Sequence, residues 1–531
     1  MGPSLIAHLI LNWRTTCCFL FIICCYISSS YLLVYCIHHD EHFQIIEFAN
    51  FKRGMISNNH LPWEFNAALR PSLQPAIAYA MLNVMQSLRL TDPFHQAFIF
   101  RVFSSLIFLY SSLRLYKTFS NEITSPFLQK VFFFLSFFFY MFPISGVRFS
   151  SENMSACSFV LGFTIIFPLL FATGPETLDK KKLILTGAIF GISFLFRYQS
   201  AILIGGLASW LMVYQYRRFS DWLVVFAGFL IVCLLGVVLD YWLYAKWVFS
   251  AYNYLNFNII ESGSAAFGIS PWHFYITSID LRKWMIPLNI SLIMLVLLFL
   301  LVRPKHPVSW VFYPFLLVHS LIAHKETRFV YPILIYLPFI VTSSLQFLSD
   351  RFQHQRFRFR PLIGLLMIIN SFAFVATTVS VGDNSTEIFK FIRKLPDKPI
   401  KVYYTNSFFF YTLNNGSKNI TPHFYKDRHV IDMELVSMSI GKNVHNVLVH
   451  PDTLTYIVLD KNQQEEFGDS LKLVFDPQPE LVRTLNYRNW MRQGPSLWKL
   501  YELKPAKSAT KSLAVHHEKC RPRKPIKQLI L

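Results

Sequence analysis

A helix that crosses a membrane needs about 20 mostly apolar residues to span roughly 30 Å of hydrocarbon. Apolar blocks of that order recur along this chain near residues 16–37, 96–116, 129–147, 154–173, 183–196, 200–215, 221–241, 283–302, 308–322, 328–348 and 361–381. The pattern predicts about eleven crossings. The stretch 183–215 is interrupted by Arg197, Tyr198 and Gln199, which predicts two short helices with a polar corner, one long helix being the alternative. The amphiphilic run from Leu73 to Leu88 is read as a helix lying along the interface, a twelfth crossing being the alternative. The first block has no convincing small-residue cleavage site, so it reads as a retained signal anchor with the N-terminus in the cytoplasm.

With that start, the basic clusters at Lys117 to Lys130, Lys180 to Lys182, Arg217 and Arg218, Arg303 to Lys305, and Arg351 to Arg360 all fall on the cytoplasmic side. This is the bias that positive charge follows in loops next to membrane helices. The other side receives His38 to Phe94, the turn at Arg148 to Asn153, the corner at Arg197, the loop from Trp242 to Lys283 and the turn at His324 to Arg328. Beyond residue 382 the apolar blocks stop. Short runs such as KVYY from Lys401 and TYIVLD from Thr455 predict a small lumenal α/β domain over 383–503. Sequons at Asn384, Asn415 and Asn419 are consistent with that side. A basic, disordered tail is expected over 504–531. The predicted fold class is thus an all-α polytopic membrane protein, domain 1–382, carrying a small C-terminal α/β domain.

Composition supports this division. Of the 531 residues 53% are hydrophobic, 17% aromatic and only 15% charged, which excludes both an ordinary soluble domain and a disordered chain. The formal charge of +20 sits between apolar blocks, so it reports orientation in a membrane, with membrane lipids as neighbours, and no nucleic-acid partner is expected. Seven of the eight cysteines lie in or beside apolar stretches and read as small apolar side chains, so neither a disulfide scaffold nor a metal site is expected. No glycine-rich nucleotide fingerprint is apparent, and no cofactor is expected.

Three constellations on the non-cytoplasmic side carry candidate chemistry. The first is HHDEHFQIIEF, from His38 to Phe48. Asp40 and Gln44, four residues apart, share one face of a short helix, and Asp40 with Glu41 supplies carboxylates at the membrane surface. Asp40 is either a helix cap or a general base. The second is HKETRF, from His324 to Phe329. Lys325 and Arg328 stand where positive charge is disfavoured; they either snorkel or pair with Glu326, or they bind an anionic group such as a phosphate. The third is the loop Glu261 to Tyr275, where Trp272 and His273 follow Pro271; Trp272 either stacks on a sugar or anchors the loop at the interface. Arg148, Glu152 and Arg197 lie at turns, as site residues or structural ion pairs.

With these residues the chain resembles the dolichyl-phosphate-mannose-dependent α-mannosyltransferases, glycosyltransferase family 22, and most of all the members that add the third mannose to glycosylphosphatidylinositol anchors. The resemblance covers about residues 15–380. It is carried by His38 with Asp40 and Glu41, by Pro271-Trp272-His273, and above all by His324-Lys325-Glu326 with Arg328 and Phe329. His39 stands where the family commonly has proline. The resemblance implies a GT-C fold with a lumenal active site in the endoplasmic reticulum membrane, or in a bacterial inner membrane if the source is prokaryotic. It implies an inverting transfer of mannose from a polyprenyl (dolichyl) phosphate mannose donor to a lipid-linked glycan acceptor. Asp40, with Glu41 second, would be the base; His324, Lys325 and Arg328 would take the donor phosphate; and His38, Gln44, Arg148, Glu152, Trp272, His273 and Glu326 would surround the substrates. A transporter or scramblase of lipid-linked sugars, or a noncatalytic membrane-complex subunit, is the alternative.

Overall fold

A computed structural model describes residues 13–33, 38–171, 179–215, 219–278, 284–352, 356–379, 385–396, 398–405, 413–415, 418–420, 422–426, 430–436, 453–459, 471–476 and 498–503. The tail expected over 504–531 and the sequon at Asn384 lie outside the described residues.

Helices dominate as far as Thr378. Among the described residues four are long and apolar enough to cross a membrane: Pro93–Glu122, Ser151–Leu170, Phe219–Tyr244 and Arg360–Thr378. Thr327–Leu334 and Leu337–Arg351, bent by 64° at the break between them, pass the same test together. Shorter apolar helices run over Thr16–Leu32, Pro126–Phe138, Ser200–Tyr214, Ile286–Val302 and Pro307–Leu321. Only 11% of the most apolar stretch of Phe219–Tyr244 is buried inside the protein, so its Leu, Val and Phe side chains face outward, where hydrocarbon is the matching solvent. The molecule is therefore a mostly helical membrane protein.

Two breaks in the apolar blocks decide the shape. Helix Lys180–Phe196 stops at Arg197, which turns to an extended conformation (φ −156°, ψ 118°), and the next helix is Ser200–Tyr214; this is the polar corner expected between them. In place of the single helix expected over 129–147, Pro126–Phe138 ends and a short helix Phe142–Gly146 follows. The backbone groups freed by that break have no water to bind inside a bilayer and must find partners in the protein. Asn370 supplies them, donating from Nδ2 to the Phe138 carbonyl (2.7 Å) and accepting at Oδ1 from the Tyr140 amide (3.1 Å). Lys180–Phe196 and Phe219–Tyr244 pack backbone to backbone: a Cβ at Gly187 or Gly228 would collide with the carbonyls of Val225 and Ile184. Small residues permit such close helix approach in membranes.

Beyond the last long helix lies a five-stranded sheet. Ile400–Thr405 pairs in parallel with Val430–Val436 on one side and Leu454–Leu459 on the other, and Lys499–Leu503 runs antiparallel between Leu454–Leu459 and Leu471–Phe475. Helix Ser385–Ile392 packs Ile388, Phe389 and Ile392 against Val402, Tyr404, Val458 and Trp498, and Ala97 from the start of Pro93–Phe119 joins this core. The Phe424 amide, in a turn beside the sheet, donates to Glu47 Oε1 at 2.9 Å. That bond ties the sheet unit to the segment that follows the first helix, so both occupy one face of the helical body.

The shared face makes a testable prediction. In sealed microsomes the sheet unit and a cysteine placed near Lys52 should share one accessibility: protease and a membrane-impermeant thiol reagent added from one side should reach both or neither. Opposite accessibility at the two positions would contradict the Phe424–Glu47 contact.

Candidate active site

The segment after the first helix is helical from Asp40 to Lys52, but residues Phe43–Glu47 form a π-turn inside it. Such insertions occur often at functional sites. Its first residue does not cap it: neither Asp40 nor the preceding His39 makes a capping side-chain bond. Instead Asp40 Oδ2 accepts from Arg328 Nη2 at 2.7 Å, across 288 residues of sequence.

Arg328 is the hub of the site. Its Nε donates to Glu326 Oε2 (2.6 Å), its Nη2 to Glu326 Oε1 (3.2 Å) as well as to Asp40, and its Nη1 to Glu152 Oε1 (3.4 Å). Glu152 is shared with Arg197, whose Nη1 lies 2.7 Å from the same oxygen. His324 Nε2 lies 3.0 Å from Glu326 Oε1, and His38 Nε2 lies 3.5 Å from Glu326 Oε2. Behind this group Glu41 pairs with Arg148 at 2.9 Å, both buried. Gln44 donates to Glu64 Oε1 (3.3 Å), which also pairs with Arg70 (3.3 Å); Arg70 lies 3.8 Å from Asp40 Oδ2. Five carboxylates, Asp40, Glu41, Glu64, Glu152 and Glu326, thus interleave with four guanidinium groups, Arg70, Arg148, Arg197 and Arg328.

These neighbours set the ionisation. Burial pushes the Asp40 carboxyl up, but Arg328, His38 and Arg70 outweigh it and hold it well below the usual carboxylate range. Burial likewise raises Glu326, yet Arg328, His38 and His324 bring it down to about 2. For Glu41 burial wins over Arg148 and, with Glu152 nearby, leaves its pKa raised. Burial lowers His39 to about 4, reinforced by His38 and Arg328 against Asp40 and Glu326, so its ring is neutral at pH 7. Asp40 therefore stays ionised at neutral pH, whereas Glu41 holds a proton more readily.

The network borders a cavity of about 920 Å³. His38, His39, Asp40, Arg70, His324, Glu326 and Arg328 line its polar part, while Phe249, Leu255, Ile259, Phe267 and Ile322 line its apolar wall. Asp40, Arg70 and Arg328 also face a smaller pocket lined by Glu41, Gln44, Glu152 and Arg197. Thus His38, Asp40, Glu41, Gln44, Arg148, Glu152, His324, Glu326 and Arg328 come together from three distant stretches of chain. Three other residues expected at the site lie elsewhere. Lys325 donates from Nζ to the carbonyls of Ser270 (2.7 Å) and Ile322 (2.6 Å), bracing one loop against another. Trp272 is 68% exposed and stands edge-on to His273. Among the described residues the group that could hold a metal ion is His38, His39 and Asp40, with one donor atom each within 4.8 Å of one another; Asp40 there already faces two guanidinium groups.

Arg70 and Glu64 belong to the site without having been singled out from the sequence. The signal that marks Lys325 and Arg328, a cation on the side where cations are disfavoured, applies equally to Arg70.

Removing the hub should be costly, because an unpaired buried carboxylate is far worse than a paired one. Arg328→Gln is expected to lower unfolding free energy by about 3–5 kcal/mol in detergent. The acid limb follows from the depressed carboxyls. Glu326 ionises near 2 when folded and at its ordinary 4.5 when unfolded, so its ion pairs stabilise above pH 4.5 and are lost as pH falls toward 2. A melting temperature that holds steady on acidification through this window would contradict the network.

The sequence profile of the Alg9-like mannosyltransferase family matches residues 17–411. GPI mannosyltransferase 3 of Candida albicans is 28% identical over 321 residues, which is 59% of this chain and 61% of that protein. GPI mannosyltransferase 3 of Debaryomyces hansenii is 26% identical over 370 residues, 67% of this chain and 64% of the relative. The chain therefore spans less than two thirds of the length of these relatives. Among solved structures, ArnT from Cupriavidus metallidurans bound to undecaprenyl phosphate superposes with a TM-score of 0.52 over 94% of this chain and 99% of that one, at 10% identity, a likeness of fold. On the profile match over most of its length, the chain belongs to the Alg9-like mannosyltransferase family.

Proposed function

We propose that this protein is an inverting α-mannosyltransferase of the endoplasmic reticulum membrane, transferring mannose from dolichyl phosphate mannose to a lipid-linked glycan, a glycosylphosphatidylinositol precursor. The observation that carries this reading is one ionised carboxylate, Asp40, beside the guanidinium of Arg328 at the polar part of an apolar-walled cavity of about 920 Å³. A lipid-linked phosphate has the same division: a charged head and a hydrocarbon tail. Relatives named GPI mannosyltransferase 3 support the sugar and the pathway, and a fold-mate solved with undecaprenyl phosphate supports a polyprenyl donor. In this reading the helical body crosses the bilayer about eleven times, with cavity and sheet unit in the lumen.

Displacement at the anomeric carbon needs a base on the side opposite the leaving group. Asp40 takes the proton from the acceptor hydroxyl as its oxygen bonds to the anomeric carbon; the bond from that carbon to the phosphate oxygen breaks, and its electron pair leaves with the phosphate. The departing group is a stable anion, so cations suffice to receive it. Arg328 brings its charge to the cavity there, His324 lines the cavity beside it, and Lys325 fixes the loop that carries them. Glu41, Gln44, Arg148 and Glu152 hold the base and the hub in place.

Purified protein given radiolabelled dolichyl phosphate mannose and a panel of mannosylated lipid acceptors should form product. Movement of the lipid across vesicles without turnover would instead favour a transporter. Asp40→Asn should reduce transfer by roughly 10²- to 10⁴-fold, the usual worth of general base catalysis, with membrane insertion intact. Because Asp40 is held ionised, kcat/KM should stay level as pH falls from 7 to about 5; an acid limb near pH 6 that Asp40→Asn abolishes would refute this assignment.

A further inference from the structure

The donor phosphate needs hydrogen-bond donors, and the cations of the HKETRF segment are already committed. All three nitrogens of Arg328 donate to carboxylates, and Lys325 donates to two backbone carbonyls. Arg70 differs. Its guanidinium borders both the large cavity and the smaller pocket, its side chain is 25% exposed against 6% for Arg328, and its one hydrogen bond, to Glu64, is 3.3 Å long. Its Nε is buried with no hydrogen-bond partner. An orphaned buried donor of this kind is unfavourable, and an incoming oxygen removes that cost.

The backbone around Arg70 is pinned as a binding element would be. Tyr244 Oη donates to the Arg70 carbonyl (2.7 Å), Ser72 Oγ donates to Asp240 Oδ1 (2.6 Å), and Asn253 Nδ2 donates to the Ala68 carbonyl (3.3 Å). The end of Phe219–Tyr244 and the loop beyond it thus hold residues 68–72 in register, while the guanidinium they present is left mostly unused.

We propose that Arg70 is the direct hydrogen-bonding ligand of the donor's phosphate, releasing Glu64 when the phosphate enters. Burial and the nearby Asp40 already raise the pKa of Glu64 despite Arg70, so Glu64 can take up a proton as Arg70 changes partner. Arg328, committed to its carboxylates, then keeps Asp40 oriented and acts on the phosphate through its charge alone, while the direct hydrogen bonds come from Arg70. This inference rests on the lipid-phosphate reading given under Proposed function.

The test is equilibrium binding to the purified full-length protein in detergent, with a short-chain polyprenyl monophosphate and inorganic phosphate as separate probes. Wild type should bind the polyprenyl monophosphate, with inorganic phosphate at least about tenfold weaker, because the apolar wall contributes only to the lipid. Arg70→Gln should weaken the lipid probe by about tenfold or more, and Arg70→Lys, which keeps the charge without the fork, by a smaller factor. The donor KM should rise in both variants with the acceptor KM unchanged. Wild-type affinity in Arg70→Gln, or in Arg70→Lys should the first variant fail to fold, overturns the role of Arg70 and leaves the functional reading standing. Absence of lipid-phosphate binding in the wild type overturns both, and equal affinity for the two probes makes the site one for free phosphate.

Discussion

One guanidinium holds this site together. Arg328 binds Asp40 from the segment after the first helix, Glu152 from the start of Ser151–Leu170, and Glu326 from its own turn. With little of their surface open to water, those carboxylates would each be costly alone, and the guanidinium fork, with its fixed donor directions, can satisfy three at once. The same contacts that lower the cost of burying charge also fix the geometry of Asp40. Stability and chemistry are therefore not separable here: the hub that makes the buried acids tolerable also keeps the proposed base ionised and aimed at the cavity.

The rest of the fold serves this arrangement. The corner at Arg197 ends one helix early enough for its guanidinium to reach Glu152, and Asn370 allows the chain to break at Phe138–Tyr140 without stranding backbone groups in an apolar interior. The close glycine-mediated packing of Lys180–Phe196 on Phe219–Tyr244 brings the end of the latter beside residues 68–72. The sheet unit reaches back through the Phe424–Glu47 bond to the π-turn behind Asp40, so the segment carrying the proposed base is held from both the helical body and the C-terminal unit.

Much of this could be read from the chain before its structure. The apolar blocks mark the helices, the interruption at Arg197 marks the corner, and the misplaced cations of His324 to Arg328 mark the hub, because membrane helices constrain length and charge so tightly. Directions of side chains were not legible. Nothing in the sequence distinguishes Lys325, turned to carbonyls, from Arg328, turned to carboxylates, since both sit on the same short turn. Trp272 sits in an aromatic loop that reads as either a sugar platform or an interfacial anchor, and only the structure shows it 68% exposed, off the cavity lining. The break inside 129–147 is hidden because its cause, Asn370, is more than 200 residues away. Arg70 carries the same misplaced-cation signal but stands apart from both motifs in sequence, and only folding brings it to Asp40.

The central claim is that a single carboxylate, Asp40, deprotonates the acceptor on the side opposite the donor phosphate, which requires a single displacement with inversion. The most direct test is the anomeric configuration of the product formed from a β-linked, radiolabelled mannosyl phosphate lipid, read by digestion with α- and β-specific mannosidases. The account predicts a product released only by the α-specific enzyme. A β-linked product, or a mannosyl group trapped covalently on Asp40, would contradict it.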